Sequence, residues 1–321
     1  MVYVFILKTA AIVLGTMVAS AHAESGKTVK LAHPYGSTAE ISLFGAHVLS
    51  FRASMDRNLD MLFPSKKSFM DMKQPIRGGI PIIFPNFGNR EGFPNQGFAS
   101  TTDWTLVSSK NSTEEKIPSM ATFTMESSDA TRAIWPVDFK LEYVVELYAN
   151  ELTTALYVTN TFTEQIEFQA LLHNYLWVDD VRNKGAVVSG LEGVNYFDQV
   201  AQVNKTETRK FIDFAAETDN VYRNAPDMVQ VLIDGTNTVQ RSVSVRKEGS
   251  ISSTDSQEVL KTETDFVVWN PWVNRAKAIQ DFNNEEYINM VAVEPGRVSE
   301  MQPLLAGKTY TLKQSIAVFT M

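Results

Sequence analysis

The chain has 321 residues, long enough for two domains or one large β-sandwich or barrel, and its 44% hydrophobic and 21% charged residues disfavour disordered, collagen-like and coiled-coil architectures. Its formal net charge of -8, from 29 basic against 37 acidic residues, opposes non-specific attraction to DNA or RNA, so no nucleic-acid partner is expected. The absence of cysteine excludes disulfides, thiolate metal sites, iron–sulfur clusters and a cysteine nucleophile.

Residues 9 to 21 form an apolar run preceded by Lys8 and followed by Ala21-His22-Ala23, the small-x-small pattern of a signal-peptidase site. Residues 1–23 therefore read as a signal peptide, with an uncleaved anchor as the alternative because residues 2 to 21 approach bilayer-spanning length. On that reading the protein is secreted or extracytoplasmic. No later segment approaches about 20 continuous apolar residues, so no stable membrane insertion is expected after cleavage. Asn111-Ser112-Thr113 and Asn204-Lys205-Thr206 match glycosylation sequons, for which chance occurrence is the plain reading.

Beyond residue 23 the recurrent pattern is short alternating runs punctuated by turns, as half-buried antiparallel strands require. Short helices are expected only around residues 67 to 73, 210 to 217 and 273 to 282. The stretch from Pro75 to Gly97 is dense in glycine and proline and reads as a loop of the kind that carries function on a rigid scaffold. Residues 140 to 148 and 152 to 161 flank Ala149-Asn150-Glu151, and residues 228 to 234 and 238 to 246 flank Gly235-Thr236-Asn237; each pair reads as a hairpin. Residues 166 to 178 (IEFQALLHNYLWV) alternate so that an unbulged strand puts His173 on one face with Gln169, Leu171, Tyr175 and Trp177, a polar and aromatic set suited to sugar. There is no βαβ alternation, helical bundle or Pro/Ser-rich linker. Residues 24–321 are therefore expected to form a single all-β domain, a large antiparallel β-sandwich with a few short helices. Nothing in the sequence points to an oligomer.

No Walker loop, GxGxxG, GxSxG or HExxH motif occurs. Beyond His22 the histidines are His33, His47 and His173, none at helical spacing from another, so no histidine-based metal site is expected. His33, before Pro34, and His47, in Phe44-Gly45-Ala46-His47-Val48-Leu49, read as structural or surface residues. His173 lies inside an apolar strand, where a hydrogen-bonded core histidine is the plain alternative to a functional one. Glu294 ends the run Met290-Val291-Ala292-Val293 before Pro295-Gly296, which puts its carboxylate at a sheet rim; a solvated turn residue is its alternative. Asp219 is a weaker candidate, since aspartate is common in turns for its own backbone hydrogen bonding.

Six segments in order carry a resemblance: Arg77-Gly78-Gly79-Ile80-Pro81 through Phe84-Pro85-Asn86-Phe87-Gly88, then Gly97-Phe98-Ala99, Leu171-Leu172-His173-Asn174-Tyr175, Thr218-Asp219, Val268-Trp269-Asn270-Pro271-Trp272 and Val293-Glu294-Pro295-Gly296. Together they resemble the aldose 1-epimerase superfamily, specifically its glucose-6-phosphate 1-epimerase (hexose-6-phosphate mutarotase) branch, over nearly the whole chain beyond residue 23. The resemblance implies a β-supersandwich of the galactose-mutarotase type, in agreement with the alternating strands, and an isomerase acting on a small-molecule sugar or sugar phosphate. It also implies that His173 and Glu294 are the catalytic pair. Interconverting α and β anomers requires opening a hemiacetal: a base removes the O1 proton while an acid protonates the ring oxygen, and reclosure on the other carbonyl face gives the other anomer. By the resemblance Glu294 is the base and His173 the acid, roles suited to reference pKa values of about 4.3 and 6.5. No metal or nucleotide cofactor is called for. Asp219 would hold sugar hydroxyls, and Trp269 and Trp272 line the cleft or pack in the core.

The chain departs from that branch in one loop. The branch usually reads Gln-His-Gly-Phe-Ala-Arg where this chain has Asn95-Gln96-Gly97-Phe98-Ala99-Ser100. Arg77 matches a phosphate-binding arginine, but the second is replaced by Ser100, which supplies no charged bidentate clamp. Asn95 stands for a substrate-binding glutamine, one methylene shorter. Gln96 replaces a histidine and cannot exchange a proton near neutrality. The expected substrate site thus comprises Arg77, Asn95, Gln96, Ser100 and Asp219, with selectivity for the 6-phosphate weakened; Arg90, Lys73 and Arg275 are the cations that would compensate. The competing function is a non-catalytic carbohydrate-binding or interaction protein on the same fold, since fold does not dictate function.

Overall fold

The computed structural model describes residues 27–253 and 256–321, so the signal peptide expected at 1–23 lies outside the described residues. The described residues form three antiparallel sheets, of three, eight and ten strands. Alternating sequence becomes alternating burial: Phe139–Leu147 is buried at every second position along its length. It pairs with Glu151–Asn160 in the first expected hairpin, closed at Leu147 and Leu152. Met228–Ile233 and Arg241–Ser253 form the second, closed at Ile233 and Arg241. Both hairpins belong to the ten-stranded sheet, where Lys308–Thr320 runs between Arg241–Ser253 and Glu151–Asn160.

The eight-stranded sheet positions the site. Through its middle run Thr218–Tyr222, Asp265–Asn270, Met290–Leu304 and Ile166–Leu172, with Ile82–Ile83 at the edge beside Ile166–Leu172 and Tyr175–Trp177 also paired to Met290–Leu304. One face supplies Leu172, Leu176, Val268, Val291 and Val293 to the principal apolar core, which Val245, Leu312 and Ile316 of the ten-stranded sheet complete. Each such fully buried aliphatic side chain contributes about 1.5–3 kcal/mol, so a core of this extent holds without covalent staples. Side chains one position away point to the other face, where only small apolar clusters form, around Leu171, Val221 and Val267 and around Tyr175 and Ala292.

Of the three expected helices, one is present, at Trp272–Ala278. Residues 67 to 73 form turns instead, because the side chains of Ser65, Ser68 and Asp71 accept the backbone N–H groups of Lys67, Arg77 and Lys73 at 3.2, 2.7 and 3.0 Å. Such local bonds compete with helical ones. Residues 210 to 217 contain the strand Phe211–Ile212, drawn into pairing with Ser189 and Val188. Asp129–Ile134 is a helix without a periodic signal, started by a capping box between Ser128 and Thr131. Among the described residues no helix is long and apolar enough to cross a membrane.

Candidate active site

The strand expected over 166 to 178 is broken at His173–Asn174 into Ile166–Leu172 and Tyr175–Trp177, both paired with Met290–Leu304. The break is filled by bonds outside the ladder: the His173 N–H donates to the Pro81 carbonyl at 3.1 Å, and the Asn174 N–H folds back to the Leu172 carbonyl at 3.0 Å. The pairs flanking the break keep one register, with Leu171 opposite Gly296 and Tyr175 opposite Ala292. Carried through the gap, that register sets His173 directly opposite Glu294, so both project from the same face. The neighbouring strands extend the rows: Val267 lies opposite Glu294, Trp269 opposite Ala292, and Asp219 opposite Trp269. His173 and Tyr175 still share a face despite the break, their rings stacked at 4.3 Å and 2° from parallel.

His173 Nδ1 and Glu294 Oε2 are 3.4 Å apart, with the two side chains 12% and 1% exposed. Both atoms are buried, and neither makes a hydrogen bond among the described residues. Buried polar atoms are ordinarily paired, whereas these two face each other without a bond. Burial raises the Glu294 carboxyl well above the ordinary carboxylate range, reinforced by the charge of Asp219. Burial likewise lowers His173 to about 3, reinforced by the charge of Arg77. Both shifts favour uncharged groups. An electroneutral pair holds one proton, as imidazole with carboxylic acid or as imidazolium with carboxylate.

A cleft of about 410 Å³ lies over this face, and Arg77, Asn95, Gln96, Ser100 and Asp219 line it together with His173 and Glu294. All seven expected site residues therefore converge, although several are engaged in ways the sequence does not signal. Arg77 is gripped by Asp281 through two parallel bonds, Nε to Oδ2 and Nη2 to Oδ1, each 3.1 Å, and its Nη1 donates to the Tyr175 hydroxyl at 2.9 Å. Gln96 closes its own loop, with Oε1 accepting the Gly88 N–H at 2.9 Å while the Gln96 N–H donates to the Gly88 carbonyl at 3.0 Å. Ser100 is buried in the short turn Ala99–Thr101 and brings no charge. Asn95 sits exposed at the rim. Asp219 accepts from Gln199 Nε2 at 2.7 Å, and burial pushes its carboxyl up to about 6 against the pull of that bond.

Of the three compensating cations, Arg275 lines the cleft from the Trp272–Ala278 helix, whereas Arg90 stacks over Phe93 at 4.3 Å and Lys73 is not among the lining residues. Trp269 lines the cleft; Trp272 packs edge-on against Tyr287 at 5.2 Å. His33 and His47 are both buried. His47 Nε2 donates to the Gly78 carbonyl at 2.8 Å, next to Arg77, and burial lowers its pKa to about 4, keeping it neutral. Gly79 completes this anchor: its φ is +63°, and a Cβ there would lie 2.6 Å from His47 Nε2. Tyr175, expected on the His173 face, is there and lines the cleft. Gln199 and Asp281 are site residues that sequence reasoning missed, and they carry no local signal. Among the described residues no group of three or more His, Asp or Glu side chains could hold a metal ion.

The aldose 1-epimerase family model matches residues 27–317. A Cenchrus ciliaris protein named "Putative glucose-6-phosphate 1-epimerase" is 31% identical over 278 residues, covering 85% of this chain and 78% of its own. A Salmonella typhimurium protein of the same name is 29% identical over 293 residues, covering 87% of this chain and 86% of its own. Among solved structures, that of "a putative mutarotase (YeaD) from Salmonella typhimurium" is 27% identical with a TM-score of 0.75, covering 90% of this chain and 89% of that one. Slr1438 from Synechocystis sp. PCC 6803 shares the fold at 16% identity, with a TM-score of 0.72 over 94% of this chain and 99% of that one. Matched along almost all of its described length, in sequence and in fold, the chain belongs to the aldose 1-epimerase family and is an isomerase.

Proposed function

We propose that the protein is a hexose 1-epimerase, interconverting the α and β anomers of an aldohexose or its 6-phosphate, with Glu294 as the base at O1 and His173 as the acid at the ring oxygen. The observation that carries this reading is the pair itself: a buried carboxyl and a buried imidazole, opposed in register on the cleft floor, with unpartnered Oε2 and Nδ1 atoms 3.4 Å apart.

O1 and the ring oxygen are both bonded to C1 of the hemiacetal, so a base and an acid standing side by side reach them together. In the opening step Glu294 takes the O1 proton, the electrons of that bond form the C1 carbonyl, the bond from C1 to the ring oxygen breaks, and His173 gives that oxygen its proton. The aldehyde turns about the C1–C2 bond, and return of both protons by the same route closes the ring on the other carbonyl face. The pair holds one proton throughout: it passes from the imidazole and carboxylic acid that burial favours to imidazolium with carboxylate for opening, and is imidazole with carboxylic acid again after it. Neither distribution leaves a net charge in the buried site, which lowers the cost of passing between them. Asp219, oriented by Gln199, accepts from the sugar hydroxyls.

The same reading weakens the demand for phosphate. Asp281 matches the charge of Arg77, Ser100 adds none, and Arg275 is left as the cleft cation without an ion-pair partner among the described residues. With residues 1–23 as a signal peptide, the enzyme works outside the cytosol, where free sugars and glycan ends are available substrates. NMR exchange spectroscopy of glucose 6-phosphate, glucose and galactose, with mature protein and a His173→Ala control, tests the proposal. The expected result is accelerated anomer exchange that the control loses, with a free hexose turned over within about 10- to 150-fold of the phosphate, the worth of one charged hydrogen bond at about 1.5–3 kcal/mol. A much larger phosphate preference overturns the weakened selectivity. Exchange no faster than buffer for every sugar overturns the enzyme in favour of a carbohydrate-binding protein.

A further inference from the structure

The alternation that turns His173 toward the cleft turns Asn174 into the layer between the two large sheets, where it is fully buried. There it meets Gln314, 1% exposed, from Lys308–Thr320 of the ten-stranded sheet. Asn174 Nδ2 donates to Gln314 Oε1 at 2.7 Å, and Gln314 Nε2 donates back to Asn174 Oδ1 at 3.0 Å. The second hydrogen of each amide is also used: Asn174 Nδ2 donates to the Val293 carbonyl at 2.9 Å and Gln314 Nε2 to Thr154 Oγ1 at 3.1 Å. Flipping either amide alone would set N–H against N–H, and flipping both would set Asn174 Oδ1 against the Val293 carbonyl, so the arrangement has one solution. Two apolar side chains would fill this layer equally well; what the amides add is direction.

That direction acts where the strand ladder is open. Asn174 follows His173, and Val293 precedes Glu294; Asn174 holds Val293 through its side chain and again through its carbonyl, which accepts the Val293 N–H at 3.3 Å. No other cross-strand bond spans this level between Leu172 and Tyr175 among the described residues. We propose that Asn174 and Gln314 are positioning residues that set the separation and facing of His173 and Glu294, with Gln314 rooting the pair in the opposite sheet. This rests on the reading of His173 and Glu294 as acid and base. Proton hand-over tolerates little misplacement of its partners, so the device acts on rate rather than on sugar affinity.

The test compares Asn174→Leu/Gln314→Met, which replaces both amides by apolar groups of similar length, with the exchange variant Asn174→Gln/Gln314→Asn, which restores an amide pair of unchanged total length. Readouts are kcat and KM for anomer exchange of the sugar that wild type turns over, and the ring 15N resonances of His173, with His173→Ala as reference. The apolar variant is expected to fold, with kcat down about 10-fold or more, KM changed less than about 2-fold, and displaced His173 resonances; the exchange variant recovers most of the rate. Folded variants with wild-type kcat and His173 resonances, alongside an inactive His173→Ala, overturn this inference alone. Wild type no faster than buffer overturns the catalytic reading, and this inference with it. Should the apolar double variant not fold, Gln314→Met and the exchange variant decide by the same readouts.

Discussion

Glu294 faces His173 across an interrupted strand pair, its Oε2 3.4 Å from the imidazole Nδ1 and neither atom hydrogen-bonded among the described residues. Glu294→Gln keeps the shape of the side chain and removes the base, and His173→Ala removes the acid. Each is expected to lower kcat by about 10²–10⁴-fold, the range of general acid–base catalysis, while Glu294→Gln leaves KM within about 3-fold. Saturation-transfer NMR of anomer exchange measures both; a Glu294→Gln protein with wild-type kcat would remove the carboxylate from the mechanism.

Asp219 titrates at about 6, raised from 3.8 chiefly by burial. In the proposed function it accepts from sugar hydroxyls and works ionised, so KM is expected to rise as pH falls through about 6 and to level off about one unit above it. Stability runs the other way. The folded carboxyl binds its proton more tightly than the unfolded one, so between roughly pH 4 and 6 the folded state holds more protons and stability falls as pH rises. Asp219→Asn is expected to abolish the KM step and to melt higher than wild type at about pH 8 but not at about pH 4, as thermal denaturation at the two values would show.

Arg275 stands in the cleft wall without an ion-pair partner among the described residues, while Arg77 is held by Asp281. Arg275→Ala is therefore expected to cut kcat/KM for glucose 6-phosphate by about 10-fold and to leave that for glucose within about 2-fold, the loss of one charged hydrogen bond. Equal losses on both sugars would show that Arg275 acts on the scaffold and not on the phosphate.

Gly79 adopts a φ of +63° with His47 and Val48 packed where a side chain would begin. Gly79→Ala is expected to cost about 1–3 kcal/mol in the backbone alone, before any displacement of its neighbours. Urea denaturation would register the loss, and KM would rise because Arg77 lies two positions away on the same anchored turn. Unchanged stability would show that the turn relaxes freely.

The strands could be read from sequence because burial alternates where polarity does, as in Phe139–Leu147. His173 and Glu294 could be chosen by residue type, but Glu294, expected at a rim before a Pro-Gly turn, lies buried inside the strand Met290–Leu304, because Pro295 and Gly296 stay in the ladder opposite Phe266 and Leu171. That they face each other depends on the register between strands distant in the chain, which alternation within each does not encode. The break at His173–Asn174 was hidden because the polarity pattern runs straight through it. Asp281 gripping Arg77 spans 204 positions and leaves no local signature. At residues 67 to 73 the periodicity suggests a helix, but hydroxyl and carboxylate side chains satisfy the backbone locally and win.

The cleft has two sources. Its floor, with His173, Glu294 and Asp219, belongs to the eight-stranded sheet, whereas Asn95, Gln96 and Ser100 arrive on a segment pinned at its base, where the Phe98 and Ala99 N–H groups both donate to the Phe84 carbonyl at 2.9 and 3.2 Å. Gln96 and Gly88 brace that segment from within. It is a cassette: its ends are fixed, its brace is internal, and under the proposed function its groups meet the sugar away from the reacting carbon. Sugar preference can drift there without disturbing the proton chemistry beneath, and a graft of residues 84 to 100 between relatives should carry preference with it.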